Sequence, residues 1–193
     1  MLEEIIIPQS LKHIPNCFCY TAAGNTSATG YLDIYIPKTV ETFGGDWFIN
    51  VVSGTDFPNN TSIRRIFFED QDLFDRFLLE SSTNYTENNS SAMLHDSPMS
   101  LFVNKQEVKN ITLPSAITQL SNTMFPKQLT TKLNVVCEGN ITTICRGACQ
   151  GVKNLDLSNC TSVPTLITPY SGPAFMEWTE TIKVPALLYD EWI

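Results

Sequence analysis

Cysteine is the residue type in this chain with the widest chemistry, because thiolates can attack electrophiles, bind metals or form disulfides. The six cysteines are Cys17, Cys19, Cys137, Cys145, Cys149 and Cys160. Their spacing differs from the paired C-x2-C pattern of zinc sites, and the first two lie far from the other four. We therefore predict buried free thiols. A disulfide among the last four under oxidising conditions and a metal site are the alternatives.

Catalytic groups of other kinds are sparse. The chain has two histidines, His13 and His95, and no nucleophile-elbow, zinc-protease or phosphate-loop motif. Glu69, Asp70 and Asp72 offer carboxylates that glycoside hydrolysis would need, but a charged cluster at the end of a strand commonly faces solvent. The sequence therefore predicts a protein that is not an enzyme and that needs no cofactor or metal.

Asn-x-Ser/Thr sequons could accept N-linked glycans in a eukaryotic secretory pathway. They occur at Asn25, Asn59, Asn60, Asn84, Asn88, Asn89, Asn110, Asn140 and Asn159. The competing explanation is chance, because a chain rich in Asn, Ser and Thr produces sequons without selection. We favour chance, since the N-terminus has no signal-peptide pattern and Asn159 precedes a cysteine inside a repeat.

One pattern recurs along the chain and organises these residues. Its clearest copies are Ile5–Phe18, Ile34–Phe48 and Ile111–Phe125. Each copy reads apolar-x-apolar-Pro, then has an apolar residue three positions after the proline, another three further on, and an aromatic residue or methionine near its end. Weaker copies lie at 65–77, 132–149, 154–166 and 181–192. Internal repetition on this scale predicts a solenoid, in which each coil packs on its neighbours.

The pattern also predicts the shape of one coil. In apolar-x-apolar the outer two residues point to the core and the middle one points outward. Proline ends strand pairing because it lacks an N–H, and the apolar pair that follows returns to the core. We therefore predict an α/β-type solenoid, with a parallel β-sheet on one face and short helical or irregular returns on the other. Its strands should be centred, in this spatial order, near Ile6, Tyr35, Phe67, Thr112, Asn134, Asp156 and Lys183.

The same spacing predicts the core and the domain organisation. Residues 1–193 should form a single domain, with loop insertions near 53–62 and 81–98, where polar residues dominate. Residues 70–80 have the apolar spacing of a helix. The residues expected to be buried are Ile7, Leu11, Ile14, Ile36, Val40, Phe43, Leu113, Ile117, Leu120, Ile141, Ile144, Val163 and Leu166.

This pattern resembles the BspA-like class of leucine-rich repeat proteins. The matching strings are Ile34-x-Ile36-Pro37-x-x-Val40-x-x-Phe43 and Ile111-x-Leu113-Pro114-x-x-Ile117-x-x-Leu120, with weaker matches at 155–160 and 184–189. The resemblance covers most of the chain and is weakest from about 53 to 110. Members of this class occur on bacterial and protist surfaces and in bacteriophage virions, usually in adhesion or display.

The resemblance implies a non-enzymatic leucine-rich-repeat module for adhesion or receptor recognition, on a bacteriophage virion or a microbial cell surface. Its partner would be a protein or glycan ligand on a cell surface. The alternative hypothesis is a structural assembly protein of a virion, such as a decoration, tail or fibre component, whose solenoid docks onto other virion subunits. Both hypotheses place the chain in a virion or at an extracellular surface.

Composition narrows the partners further. The net charge is −8, and Lys and Arg are scattered singly, so we expect no binding to nucleic acid or anionic lipid. No apolar run reaches the roughly 20 residues of a membrane span, so we expect no membrane insertion. The first residues lack the basic and apolar regions of a signal peptide, which suggests an excised fragment or delivery without classical secretion.

The predicted outward strand residues form the candidate partner-binding site. They are Ile6, Tyr35, Phe67, Thr112, Asn134, Asp156 and Lys183. The first three are large and apolar and would stack into a stripe that an isolated monomer has no reason to expose. Either a partner covers this stripe or the chain's own polar loops do. The ends of the repeat array carry no polar cap, so we also expect self-association or contacts at the solenoid ends.

Overall fold

The computed structural model describes residues 4–15, 31–44, 63–83, 99–121, 123–125, 129–167 and 179–192. These residues form mostly parallel β-sheets with few helices, which is compatible with an α/β fold. The strands are β1 (Glu4–Ile6), β2 (His13–Ile14), β3 (Tyr31–Ile36), β4 (Thr42–Phe43), β5 (Ile63–Phe68), β6 (Met99–Val103), β7 (Gln106–Glu107), β8 (Asn110–Leu113), β9 (Gln119–Leu120), β10 (Leu133–Cys137), β11 (Thr143–Cys145), β12 (Val152–Asp156), β13 (Thr165–Ile167) and β14 (Thr181–Lys183). The helices are α1 (Gln71–Thr83), a 3-10 helix (Ala186–Leu188) and α2 (Tyr189–Trp192).

Two larger sheets carry the long strands. Sheet 1 has the order β1-β3-β5-β6-β7, in which only the β6–β7 pair is antiparallel. Sheet 2 has the order β14-β12-β10-β8 and is parallel throughout. In each sheet, residues at equivalent positions of neighbouring strands align in rows, and the rows that face the core are mostly apolar. The inner row of sheet 1, for example, joins Ile34 to Ile66 and Leu101, all buried.

The predicted parallel pairing is confirmed within each sheet, but the prediction of one continuous sheet is wrong. The strands at Ile6, Tyr35 and Phe67 are neighbours in this order, as are those at Thr112, Asn134, Asp156 and Lys183. Between the two groups lies β6, which the sequence pattern missed. After β6 the chain turns through Asn104 and Lys105, both with positive φ, of 50° and 64°. Such a turn closes a hairpin, in which β7 pairs with the free edge of β6. In one continuous sheet β8 would have paired with that edge.

The predicted phase of the β10 strand is also wrong, by two residues. Asn134 was placed opposite Thr112, but Asn134 pairs with Asn110, and Val136 pairs with Thr112. The cause is that β10 alternates apolar residues at Leu133, Val135 and Cys137, so its period is clear while its alignment along the neighbour is not.

Among the described residues the returns after β5 and β14 are helical, as predicted, whereas those after β1, β3, β8, β10 and β12 contain short parallel strands. Sheet 3 has the order β13-β11-β9, and sheet 4 pairs β2 with β4. Helix α1 contacts both β4 and β9. Its Glu80 carboxylate accepts a hydrogen bond from the Phe43 N–H at 2.6 Å, and its Ser82 carbonyl accepts one from Gln119 Nε2 at 3.1 Å. The helix therefore bridges the two return sheets through hydrogen bonds at its C-terminal end.

The prolines act as the pattern requires. The N–H of the third residue after Pro8, Pro37, Pro114 and Pro185 donates to that proline's carbonyl, in each case at 3.0 Å. The same closed turn thus follows four strands. It carries the apolar residue three positions after the proline back toward the interior, fully in two copies and partly in the other two.

The predicted core is largely confirmed. The buried members are Ile7, Ile14, Ile36, Val40, Phe43, Leu113, Ile117, Leu120, Ile141 and Ile144. Leu11 and Val163 are half-buried, and the prediction for Leu166 is wrong, because 50% of it is exposed. Leu166 aligns with Ile144, but β13 is the edge strand of sheet 3, so no described strand covers its outer side.

The insertions fall mostly outside the described residues. The whole of 53–62 lies outside them, as does most of 81–98. Ser81, Ser82 and Thr83 form the end of α1, and the two serines are buried, so the helix runs past the predicted end at residue 80. In the described part of the chain, none of the three helices is long and apolar enough to cross a membrane.

Candidate binding surface

The outer face of sheet 1 carries a stack of aromatic rings, which we call the aromatic row: Tyr35, Phe67 and Phe102. The three residues occupy equivalent positions on β3, β5 and β6. The Tyr35 and Phe67 ring centroids are 4.6 Å apart with planes inclined by 12°, and the Phe67 and Phe102 rings are 4.6 Å apart at 22°. Ile6 on β1 continues the row, with 67% of its surface exposed.

This stacking decides which part of each ring meets solvent. The rings lie face to face along the direction that crosses the strands, so neighbouring rings cover both faces of Phe67 and one face each of Tyr35 and Phe102, and the rings are half-buried. Their edges point away from the sheet. The edge of an aromatic ring carries partial positive charge, so the row suits carbonyl oxygens, aliphatic groups and aromatic faces of a partner. Stacking a sugar ring would require an open aromatic face.

An ion pair fixes the rim of the row. Arg65 donates two hydrogen bonds to the Asp33 carboxylate, from Nε and Nη2, each at 2.6 Å. The Arg65 guanidinium lies 4.1 Å from the Tyr31 ring centroid, within cation–π range. Tyr35 donates its hydroxyl to Asp33 at 3.4 Å. Burial raises the pKa of Tyr35, and the Asp33 carboxylate raises it further, so the hydroxyl stays protonated and can keep donating.

The predicted binding residues are thus divided between two surfaces. Ile6, Tyr35 and Phe67 come together on sheet 1 as expected. Phe102 was missed, although Met99, Leu101 and Val103 show the alternation of a strand with its apolar side inward. In its full form the repeat pattern requires a proline after each strand, and no proline follows β6. Alternation alone would have found this strand.

The other four predicted residues lie on the outer face of sheet 2. One row joins Thr112, Val136, Asp156 and Lys183, and Lys183 Nζ lies 2.8 Å from the Asp156 carboxylate. Burial alone would raise the pKa of Asp156, but hydrogen bonds from Lys183 and Ser158 lower it below its ordinary value. This row is polar apart from Val136, so it does not extend the apolar stripe.

Asn134 belongs to the adjacent row of sheet 2. Asn134 Nδ2 donates to Asn110 at 2.8 Å, Asn154 Nδ2 donates to Asn134 at 2.7 Å, and the Thr181 hydroxyl donates to Asn154 at 2.7 Å. These four side chains therefore satisfy one another in a continuous ladder. The outer face of sheet 2 is a polar surface that needs no partner to cover it.

The cysteines of the described residues are free and buried, as predicted: Cys137, Cys145, Cys149 and Cys160. Burial raises the pKa of Cys137 to about 12 and that of Cys145 to about 11, and it also raises the pKa of the other two. A thiol held protonated is a poor nucleophile. Cys17 and Cys19 lie outside the described residues.

Three of the other candidate catalytic groups have structural contacts, namely Glu69, Asp70 and His13. Asp70 accepts a hydrogen bond from the Leu73 N–H at 2.9 Å and so caps α1, while Glu69 accepts one from the Lys38 N–H at 2.8 Å. His13 Nδ1 lies 2.7 Å from the Thr42 hydroxyl oxygen, and His95 lies outside the described residues. Within the described ranges, no group of three or more His, Cys, Asp or Glu side chains could hold a metal ion.

Some of the sequons lie within the described residues and the others lie outside them. Asn110, Asn140 and Asn159 lie in the described residues, and the remaining six lie outside them. Asn159 Nδ2 donates to the Cys137 carbonyl at 2.9 Å, so the atom that would carry a glycan is already engaged. This contact supports a structural role for Asn159.

Comparison with known proteins gives no relative from which a function could be inferred, so the functional proposal is based on the geometry of the structure. No protein-family model matches the chain, no curated protein matches it, and no solved structure matches it.

Proposed function

We propose that this chain is a leucine-rich-repeat solenoid of the BspA-like class that acts as a non-enzymatic binding and display module. Three features support the solenoid: parallel in-register rows in sheets 1 and 2, parallel return strands in sheets 3 and 4, and the same closed turn after four prolines. Repeat folds of this kind present extended surfaces, which suits recognition better than catalysis.

The aromatic row is the proposed recognition surface, and it is the observation on which the proposal rests. The row of Tyr and Phe continues into the exposed Ile6, and the exposed Tyr31 lies on the far side of the Asp33–Arg65 ion pair. Aromatic residues are enriched at the centres of protein interfaces. The partner is a protein or glycan ligand on a cell surface. Of these two, the row favours a protein, because the stacked rings present their edges and a sugar cannot stack on either face of Phe67, the central ring.

The proposed location follows from this role. The chain would work in a virion or at an extracellular or cell surface, in adhesion or receptor recognition. Nucleic acid is a poor partner, because the chain is acidic and Arg65, which borders the aromatic row, is engaged in an ion pair with Asp33. Membrane insertion is no part of the proposal.

A second candidate is a structural assembly protein of a virion that docks onto other subunits. The observation that favours it is an apolar end: Ile182 of β14 is 37% exposed, Leu187 97% and Tyr189 58%. Ile182 aligns with Leu155, which is buried because strands flank it on both sides. Contact with another subunit, or self-association, at this end of the solenoid would cover these three exposed side chains.

Substitution of the aromatic row tests the proposed function. Tyr35→Ala combined with Phe67→Ala should weaken binding of the fluorescent chain to intact bacterial cells and immobilised cell-surface glycoproteins by at least about tenfold, since each ring is a central anchor. Leu79→Ala is the matched control, because Leu79 is an exposed apolar residue on α1, away from this face. Circular dichroism should show the fold unchanged in both variants.

Two outcomes separate the candidates. Equal binding by the parent and the double variant would contradict recognition by the aromatic row. If Leu187→Ser with Tyr189→Ser abolishes self-association in sedimentation velocity while the aromatic variant does not, the assembly role is supported in its place.

A further inference from the structure

An open cleft of about 660 Å³ lies where sheet 1 ends and sheet 2 begins. The β6–β7 hairpin forms one wall, the first turn of α1 another, and β8, the edge strand of sheet 2, a third. The cleft exists because β7 folds back along β6 instead of leaving that edge to β8. Its size falls within the range of about 300–1,000 Å³ that is typical of binding sites.

Strand β8 brings an unpaired backbone edge to this cleft. Among the described strands β8 pairs with β10 alone, and the carbonyls of Lys109 and Leu113 accept hydrogen bonds from that side at 2.9 and 3.0 Å. Asn110 and Thr112 alternate with these residues, so their backbone N–H and C=O groups point the other way. No described residue forms a hydrogen bond with the backbone of Thr112. Such an edge is a template for another strand.

The charge around the cleft is acidic. Asp75, Glu107 and Glu138 line it, against Lys109 as the single described cation of the lining. None of these carboxylates forms an ion pair with a described residue. An acidic groove attracts basic ligands, and the net charge of −8 adds to this attraction.

We propose that this cleft binds an extended peptide segment that carries Lys or Arg at alternate positions and pairs with the free edge of β8. Main-chain hydrogen bonds to Thr112 and Asn110 supply affinity, as in other cases of strand addition. Side chains of a strand alternate between faces, so every second residue of the peptide meets the carboxylates. The site is separate from the aromatic row and does not depend on the function proposed for it.

Panning a random peptide library displayed on phage against the immobilised chain tests the proposal. Enriched peptides should carry Lys or Arg at alternate positions. In fluorescence polarisation, Thr112→Pro should weaken their affinity about tenfold, because proline removes an N–H that the peptide would use. That N–H lies outside the β8–β10 pairing, and edge strands tolerate proline at such positions.

The matched control is Leu166→Pro. Thr165 and Ile167 bond to the β11 side, so the Leu166 N–H also points away from its sheet, at a distant edge. This variant should bind the peptides as the parent does.

Three results would overturn the proposal: no enrichment, enrichment of peptides without basic residues, or parental affinity in Thr112→Pro. If Thr112→Pro fails to fold by circular dichroism, Glu138→Lys decides. Glu138 is exposed, so reversal of its charge leaves the core intact and should weaken binding about tenfold. Unchanged affinity in Glu138→Lys would then rule out the site.

Discussion

Burial decides what the four described cysteines can do. A thiol in water can lose its proton and react, yet the surrounding core holds these thiols protonated. The sequence predicted this outcome, because Cys149 occupies a position that aromatic residues fill in other copies. The aromatic row was harder to predict at this scale. The outward positions of Tyr35 and Phe67 follow from alternation. The face-to-face stacking of their rings depends on the distance and register between paired strands, which the sequence of one strand does not specify.

The raised thiol pKa values predict a loss of stability at alkaline pH. Unfolded thiols lose their protons near pH 9.0, whereas folded Cys137 and Cys145 keep theirs until about pH 12 and about pH 11. Between these values the folded state binds more protons, so the free energy of unfolding should fall as pH rises above 9.0. Urea titrations under reducing conditions, with Cys17→Ser and Cys19→Ser as background, would measure this slope.

Two variants isolate the contribution of the thiols. Cys137→Ala and Val135→Ala both open a cavity in the same buried strand, so both should be destabilised. Only Cys137→Ala should also flatten the slope above pH 9.0. An equal slope in the two variants would mean that this thiol does not titrate differently in the folded and unfolded states.

Close packing between successive turns holds the elements in register. The turn that follows β10 lies directly on the turn that follows β8, and the two meet at Gly139 and Ser115. A Cβ at Gly139 would lie 2.6 Å from the Ser115 carbonyl oxygen and 2.7 Å from its Cα. These are backbone atoms, which cannot rotate aside. The glycine therefore marks a close contact between the two turns that the apolar pattern does not reveal.

Gly139→Ala should therefore destabilise the fold by about 1–3 kcal/mol, the usual cost of forcing extra volume into a packed site. Chemical denaturation monitored by circular dichroism measures the change. Glu138→Ala is the control, since Glu138 is the exposed neighbour and its loss should change stability by less than about 0.5 kcal/mol. A Gly139→Ala variant as stable as the parent would show that the turns are not in close contact.

Elements with the proline pattern were predictable, and β5, β10 and β12 were predicted from weaker copies that lack the proline, whereas β6 and the return strands were missed. Strands β1, β3, β8 and β14 each precede a proline and lie where the pattern places them. Strand β6 has the alternation but no proline, and the return strands are too short for any local period to show. Helix α1 was predictable from its apolar spacing. Its role as a bridge between return sheets depends on contacts with distant residues, such as Gln119.

At the scale of the whole molecule, the two main sheets offer different surfaces. Sheet 1 presents stacked rings, and sheet 2 presents amides and an ion pair that satisfy one another. The hairpin at Asn104 and Lys105 separates them and opens the cleft. The sequence pattern predicted one continuous sheet, and the β6–β7 hairpin, which that pattern lacks, creates both the boundary and the second candidate site.

The central claim is that the aromatic row is an open surface of the free chain, available to a partner. Hydroxyl-radical footprinting read by mass spectrometry tests it most directly. In the free chain Tyr35, Phe67 and Phe102 should be oxidised much faster than Phe68, which neighbours Phe67 on the inner face and is 1% exposed. Addition of a bound partner should then slow oxidation of the row alone. Oxidation of the row as slow as that of Phe68 in the free chain would contradict the account, because the chain itself would then cover the surface.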